Sequence, residues 1–491
     1  MSTITPGKLV DLEQARGHVW AGEWVPASGT LKLTEPATGA SLGEIGAATP
    51  ADVLHAATAA SRAQPAWAAT PADERAGVFL RAAALLEQHH AEAEDWLVRE
   101  GGGSRAKAAF EVMTASVGEL REAATLPTVP TEEELNDPLG RRSIRRRVPI
   151  GVVGVITPWN FPLVLALRSV APALALGNAV VLKADPNTAI AGGLILGPLF
   201  AEAGLPAGVL HILPGDRDAG AAVCEAPEIG MVSFTGSTAA GRKVGAAAGA
   251  NLKRVALELG GNSAFIVLED ADPIAASSAG AFGSFFHQGQ ICMASSRHLV
   301  HESIADEYLE ALARRAVNLS VGDPTDEGVA IGPIINQAQY DRVRGIVGDS
   351  VAAGARAVAG GESEAPFFPP TVLTEVTPGM RVWKEEIFGP VAPVMTFSSD
   401  EEAIALANDT EYGLSNGVYT PDGERGRAVA SRLRSGLVHI GDQSVNDMPG
   451  APFGGMGASG NGGRFGGAAN LEEFMQWQWV TERQELATYP F

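Results

Sequence analysis

The sequence predicts an α/β protein built on a parallel sheet covered by helices on both faces, followed by a second α/β lobe. Three observations carry this. Between 151 and 261, short apolar strands ("VVGVITP", "AVVLKA", "GVLHILPG", "IGMVSFTG", "RVALELGG") alternate with helical stretches long enough for crossover connections. After 262 the alternation resumes with "AFIVLED", a helix around "IAASSAGAFGSFF", the strand "RHLVHE" and a helix with Tyr308, Leu312, Ala316 and Leu319 on its apolar side. Finally, 491 residues exceed the size at which one core is usual, so two or more lobes are expected.

The remaining elements follow in order. Residues 50 to 125 are alanine-rich and helical in period, with Val78, Ala82, Leu85 and Leu86 on one stripe, which predicts helices packed on a larger body. "LNDPLGRRSIRRRVPIG" breaks that pattern with five arginines between 141 and 147 in extended spacing, read either as a solvated face or as a subunit-contact strand. The glycine-rich stretch "GAPFGGMGASGNGGRFGG" has linker composition, but its Phe453, Met456 and Phe465 argue for a folded loop.

Composition excludes several classes. With 36 basic and 57 acidic residues the net charge is −21, which repels nucleic acid and anionic membranes. The N-terminus lacks a charged region followed by an apolar core, and the longest apolar run, 189 to 201, is too short and too glycine-rich to span a bilayer. Two cysteines build neither a disulfide framework nor a multi-thiolate metal site, so no metal is expected and a reducing, cytoplasmic setting is. Cys224 sits in a helical run and reads as a small buried hydrophobe. Cys292, in "GQICMASSR", falls on a loop after a helix. His287, five residues upstream, raises a cysteine–histidine hydrolase, though such pairs assemble in space rather than by sequence proximity.

Ligands of parallel sheets bind beyond the carboxyl ends of the strands. In "VSFTGSTAAGRKVG" a strand ends at Gly236 and a helix follows with Ser237 or Thr238 as N-cap, offering free amides and a positive dipole end to a pyrophosphate; Gly241 would permit close approach. The fingerprint G-x-G-x-x-G is absent, and "LPGDRDAG" has a similar form. Lys183 and Glu386 are candidates for binding ribose hydroxyls or phosphate.

Seven stretches, in order, resemble the aldehyde dehydrogenase superfamily over nearly the whole chain: "ITPWNFPL", "GNAVVLK", "FTGST", "LELGGNSA", "GQIC", "EEIFGP" and "PFGG". "PLVLALRSVAPALALGNAVVLKADP" and "PFGGMGASGNGGRFGG" look most like its benzaldehyde and aromatic aldehyde branch. The resemblance implies a Rossmann-type dinucleotide-binding domain (1–126 and 149–259), a catalytic domain (260–468) and a small β oligomerisation arm (127–148 and 469–491). It further implies a homodimer or homotetramer. The activity implied is oxidation of an aromatic aldehyde to its acid, with aliphatic aldehydes or semialdehydes as the alternative substrates.

By the same resemblance Cys292 is the nucleophile, Asn160 with the Cys292 amide donates to the oxyanion, and Glu258 activates water. Glu258 alone also fits a structural carboxylate satisfied by glycine amides. Its presence argues against a CoA-acylating relative, and the three together argue against a non-catalytic scaffold. The implied NAD site comprises Ile156, Thr157, Pro158, Trp159, Lys183, Gly236, Ser237, Gly241, Leu259, Gly260, Glu386 and Phe388. Pro186 stands where relatives place a ribose-binding glutamate, which leaves NADP open as a second cofactor. Phe161, Val164, Leu165, Ile291, Met293 and Phe453 match the aldehyde tunnel. Arg168, one helical turn beyond Val164 and Leu165, reads as a ligand for an anionic or hydroxylated ring or as half of a structural ion pair.

Overall fold

In the computed structural model, residues 8–491 are described; the first seven, part of the stretch read as lacking an export signal and of the expected dinucleotide-binding segment, lie outside them. The 151–261 region forms the parallel part of a seven-stranded sheet in the spatial order Arg254–Glu258, Ile229–Thr235, Val152–Ile156, Ala179–Lys183 and Leu210–Ile212. Two short antiparallel strands, His18–Trp20 and Trp24–Pro26, extend it beyond Leu210–Ile212. These were not expected from the sequence, because three-residue strands carry no readable alternation.

The chain runs outward from Val152–Ile156 in one direction and then returns to its other side with Ile229–Thr235. The strand order therefore reverses between these two, and the switch point opens a crevice at their carboxyl ends.

The alanine-rich region forms helices Pro50–Ala68, Ala72–Gln88, His90–Gly101, Arg105–Ala109 and Val117–Ala123, with a π-helical turn, Phe110–Ser116, between the last two. Val78, Ala82 and Leu86 are buried, whereas Leu85 is half-buried at the edge of the stripe. Small side chains let these helices sit close to the sheet. Trp67, buried among them, donates its indole N–H to the Leu174 carbonyl at 2.8 Å. One crossover departs from a simple helix: between Lys183 and Leu210 the chain passes a 3₁₀ turn, a π-helical turn at Ile190–Leu194 and the helix Leu196–Glu202.

A second seven-stranded sheet runs Arg356–Ala359, Thr371–Thr374, Val391–Phe397, Arg297–His301, Ala264–Val267, Ser415–Tyr419, Leu437–Ile440, parallel except at its first pair. The helix Pro273–Phe285 and the helix Ala305–Asn318, with Tyr308, Leu312 and Ala316 buried, pack on it; Leu319 lies just past the helix end. The arginine-rich segment is the strand Arg142–Pro149, central in a three-stranded antiparallel sheet with Glu132–Glu134 and Met475–Glu482. Arg145 pairs with Glu133 and lies over the Trp477 ring, and Arg141, Arg142, Arg146 and Arg147 each meet a carboxylate as well, so the whole charge run is paired rather than simply solvated.

The glycine-rich stretch is folded. Phe453 and Phe465 are buried and exchange backbone hydrogen bonds at 2.8 and 2.9 Å, while Met456 has an exposed side chain and anchors the loop through its amide, which donates to the Gly413 carbonyl at 3.0 Å.

Gly154, at the middle of the strand Val152–Ile156, lies under Val223 of the helix Arg217–Glu225. A Cβ there would overlap Val223 and press on Ile229. Gly154→Ala is expected to cost about 1–3 kcal/mol, as overpacking does, read from the midpoint of chemical denaturation.

Candidate active site

The parallel register sets the site. Ile156 pairs with Lys183, Phe234 with Ile156, and Thr235 with Glu258, so these strands end at one edge. The residues just beyond, Thr157 to Phe161, Gly236 and Ser237, and Leu259 and Gly260, are thereby gathered at the switch point.

Ser237 is the N-cap of the helix Thr238–Ala250 and accepts from the Ala240 amide, which decides between the two N-cap candidates. Gly241 admits the Leu259 side chain, which a Cβ would overlap; Gly260 likewise admits the Glu386 carboxylate. Glu386 accepts from the Gly261 amide at 3.0 Å. Burial of its carboxylate raises it to about 7, against the pull of Gly261 and Arg342. Lys183 is buried, and desolvation lowers its pKa against the opposing charges of Asp185 and Asp216. Thr157 has a buried hydroxyl with no hydrogen-bond partner, and Trp159 packs edge-on against Phe388, ring centres 5.4 Å apart.

A helix N-terminus at the switch point, a buried lysine, an orphaned hydroxyl and a carboxylate seated over a glycine fit a ligand carrying phosphates and hydroxyls, as a dinucleotide does. At Pro186, Asp185 caps the following 3₁₀ turn, one of its carboxylate oxygens accepting from both the backbone and the side chain of Asn187.

On the other side of the strand ends lies a cavity of about 510 Å³. Cys292, Asn160, Phe161, Val164, Leu165, Arg168, Ile291, Met293 and Phe453 all line it, having come from three separate regions of the chain. Sequence reasoning missed several of its other walls. Phe282 and Phe286 stack with ring centres 4.8 Å apart, and Phe110 meets Phe286 edge-on. The four-residue spacing of Phe282 and Phe286 was the available signal. Asp447 and Phe110 offered none, since neither sits in a pattern that distinguishes it from surface.

Cys292 is placed by a strained loop. His287, Gln288 and Gly289 take successive left-handed conformations (φ 49°, 56° and 65°), costing about 1–2 kcal/mol for each non-glycine residue. The loop is over-determined by anchors. Gln288 donates to the Gly102 and Pro333 carbonyls at 2.7 and 3.1 Å, Gln290 accepts from the Ile335 amide at 3.1 Å, and Ser444 donates to the Met293 carbonyl at 2.7 Å. Strain held in place this way is common where a reactive group must be presented.

Acidity does not distinguish the cysteines. Burial pushes Cys292 up to about 12, helped by Glu386 and Glu258 and opposed by Arg168. It pushes Cys224 up to about 11, within the helix Arg217–Glu225 and the apolar core. Location separates them, since only Cys292 lines the cavity.

His287 is buried against Phe161, its ring nitrogens unpartnered; burial and then Lys107 hold it well below its ordinary value. The Asn160 backbone approaches it without hydrogen-bond geometry. An imidazole whose affinity for a proton is lowered in this way, and which does not line the cavity that Cys292 lines, is a poor base for a hydrolase pair.

Glu258 is buried and neither carboxylate oxygen has a hydrogen-bond partner; the Gly455 amide approaches without meeting hydrogen-bond geometry. The reading of a structural carboxylate satisfied by glycine amides is therefore not what the fold contains. Burial raises its pKa well above 4.5, with Arg464 and Arg168 opposing.

The Asn160 side chain donates to the Gln290 carbonyl at 2.9 Å, which leaves a second amide hydrogen. Arg168 is paired with Glu119 at 3.3 Å and with Asp447, and lies over the Phe453 ring at 4.4 Å. It is thus an ion-paired residue that also forms cavity wall. Among the described residues no group of three or more His, Cys, Asp or Glu is arranged to hold a metal, and no helix is long and apolar enough to cross a membrane.

The Aldehyde dehydrogenase family profile matches residues 24–480, and the chain belongs to that family. It is 54% identical over 485 residues to a vanillin dehydrogenase of Amycolatopsis sp., covering 98% of this chain and 100% of that one. It is 50% identical over 477 residues to a benzaldehyde dehydrogenase [NAD(+)] of Pseudomonas putida, with 97% and 98% covered. Among solved structures, an NADP-dependent enzyme of E. coli superposes with a TM-score of 0.93 at 34% identity, covering 96% of this chain and 99% of that one. The NAD+ complex of an aldehyde dehydrogenase from Bacillus cereus superposes at 0.92 and 34% identity, with 96% and 97% covered.

The raised Glu258 carboxyl makes a stability prediction. Its ordinary value is 4.5, so above that pH the unfolded chain releases a proton that the folded chain retains, and stability falls as pH rises toward the folded value. Glu258→Gln removes this loss. The variant is expected to melt at a higher temperature than the parent, with a gap that widens between pH 5 and pH 8 in calorimetry.

Proposed function

We propose that this chain oxidises aromatic aldehydes to carboxylic acids, using NAD and accepting NADP. One observation carries the reading: Cys292 and Asn160 share a cavity with a cluster of apolar and aromatic side chains, Phe161, Phe286, Ile291 and Phe453 among them, while Arg168, Asp447 and other polar residues form the rest of its wall. The names of its relatives, vanillin and benzaldehyde dehydrogenase, support the substrate class.

The dinucleotide would be held by Lys183, by Gly236, Ser237 and Gly241 at the helix start, by Glu386, and by the Ile156–Trp159, Leu259–Gly260 and Phe388 surfaces. When bound, it supplies the two-electron acceptor for the aldehyde carbon.

The chain's own groups do the rest. The Cys292 thiol gives up its proton to water, against the resistance of burial, and the sulfur adds to the carbonyl carbon as the C=O π pair moves onto the oxygen. The free hydrogen of the Asn160 amide and the Cys292 backbone N–H donate to the oxygen as it gains charge, in a dry setting where fixed donors act strongly. Once the carbon is oxidised, the acyl group remains on the Cys292 sulfur as a thioester. Glu258, ionised, takes a proton from a water that attacks the thioester carbon; as the C–S bond breaks that proton passes to the departing sulfur, which leaves the carboxylic acid, the thiol and Glu258 ionised again. An unpartnered buried carboxylate with a raised pKa suits that proton transfer. Phe161, Val164, Leu165, Ile291, Met293 and Phe453 are assigned to the ring, and Arg168 to the wall behind it.

We assign 1–126 and 149–259 to cofactor binding, 260–468 to catalysis, and 127–148 with 469–491 to an oligomerisation arm in a cytoplasmic enzyme. The strand Met475–Glu482 bears the exposed rings of Trp477 and Trp479, and such edges are usually covered, which supports a homodimer or homotetramer.

A panel of benzaldehyde, hydroxylated benzaldehydes and short aliphatic aldehydes, each with NAD and NADP, tests the activity at 340 nm. The aromatic members are expected to exceed the aliphatic ones by at least ~10-fold in kcat/KM. NAD is expected to be preferred by less than ~10³-fold, since no free carboxylate at 186 rejects a 2′-phosphate. Cys292→Ser should fall to background. An aliphatic preference would defeat the substrate reading. Analytical ultracentrifugation should give a dimer or tetramer, and a species of only 50.8 kDa would defeat the arm assignment.

A further inference from the structure

The helix Pro162–Ala175, which follows Asn160 and carries Val164, Leu165 and Arg168, begins in an unusual way. Its N-cap is Phe161, which has no side-chain acceptor, and its first residue is a proline with no N–H. The usual solution, a Ser, Thr, Asp or Asn at the N-cap, is precluded because that position supplies cavity wall. The next two amides, Leu163 and Val164, instead donate at 2.9 and 3.2 Å to one oxygen of Glu111.

Glu111 lies on the π-helical turn Phe110–Ser116, a geometry often found where a side chain is being re-aimed for function. It is fully buried. Its second oxygen is paired with the ammonium of Lys107, equally buried, which also lies over the Phe161 ring at 4.3 Å. A buried ion pair of this kind adds little net stability over an apolar pair of the same volume. What it adds is placement, since the residue next to Asn160 is gripped from its ring by Lys107 and from its helix by Glu111.

We infer that Glu111, held by Lys107, is a positioning residue for the reaction: it caps the helix that Phe161 cannot cap and so fixes the turn that aims the Asn160 amide into the cavity. The inference rests on the reading of Asn160 as oxyanion donor, and the two fail separately.

Glu111→Asp keeps the charge pair but withdraws the acceptor by one methylene. It is expected to lower kcat for benzaldehyde by about 10- to 100-fold, as a misplaced catalytic group does, with KM nearly unchanged. The double variant Lys107→Met/Glu111→Gln, which keeps an acceptor for the two amides without the buried charges, should retain most of the parental kcat. In an Asn160→Ala background, itself lowered by about 10²- to 10³-fold, Glu111→Asp should have no further effect on kcat. Additive losses in that background, or a Glu111→Asp enzyme with a lowered melting temperature and parental kcat, would overturn the inference. An Asn160→Ala enzyme with parental kcat would instead remove the oxyanion role, and the inference with it.

Discussion

The site depends on the parallel, in-register ladder that ends at Ile156, Lys183, Thr235 and Glu258. Because each strand stops at the same level, the backbone turns that follow converge on the gap where strand order reverses. A one-residue slip in any strand would reverse its side chains between the two helix-covered faces and carry its terminal residue out of the cluster. The register is secured by strands buried on both sides: Val152, Val153, Val155, Val180, Val181, Leu182, Met231 and Val232 are all nearly inaccessible.

That apolar setting governs the chemistry. Carboxyl groups at Glu258 and Glu386 and the thiol of Cys292 are all pushed toward their protonated forms by burial. Burial therefore resists ionisation at all three, and the cost of holding ionisable groups there is met by the surrounding core. Arg168 moderates this, since its charge opposes the shift at both Cys292 and Glu258 while it is itself paired with Glu119 and Asp447. It therefore joins the ion-pair reading to an electrostatic one.

Positional precision comes from a different source, namely long-range polar anchors that meet at irregular backbone. The left-handed run at His287–Gly289 is held from Gly102, Pro333 and Ile335. The start of the 162–175 helix is held from Glu111, and the π-helical turn at Ile190–Leu194 is held in the same way by buried Glu100, which accepts from the Ile190 and Ala191 amides. Each anchor supplies a partner to an amide or carbonyl that regular structure leaves unmet.

The sequence by itself determined the main strands and helices and the local chemistry, though not the three-residue strands or the π-helical turns. Strand–helix alternation is a period written in neighbouring residues, as is the strand–Gly–Ser–helix turn at 235–238, and the placement of Cys292 after a helix follows from the same kind of reading. Tertiary structure alone decided which distant segments meet. The neutral isolation of His287, the double pairing of Arg168, the aromatic wall of Phe110, Phe282 and Phe286, the closure of the glycine-rich stretch by Phe453 and Phe465, and the capping of one helix by a carboxylate 52 residues away leave no local trace. The reason is physical: periodicity reports which face of an element is buried, whereas the partner it is buried against is chosen by the packing of the whole chain.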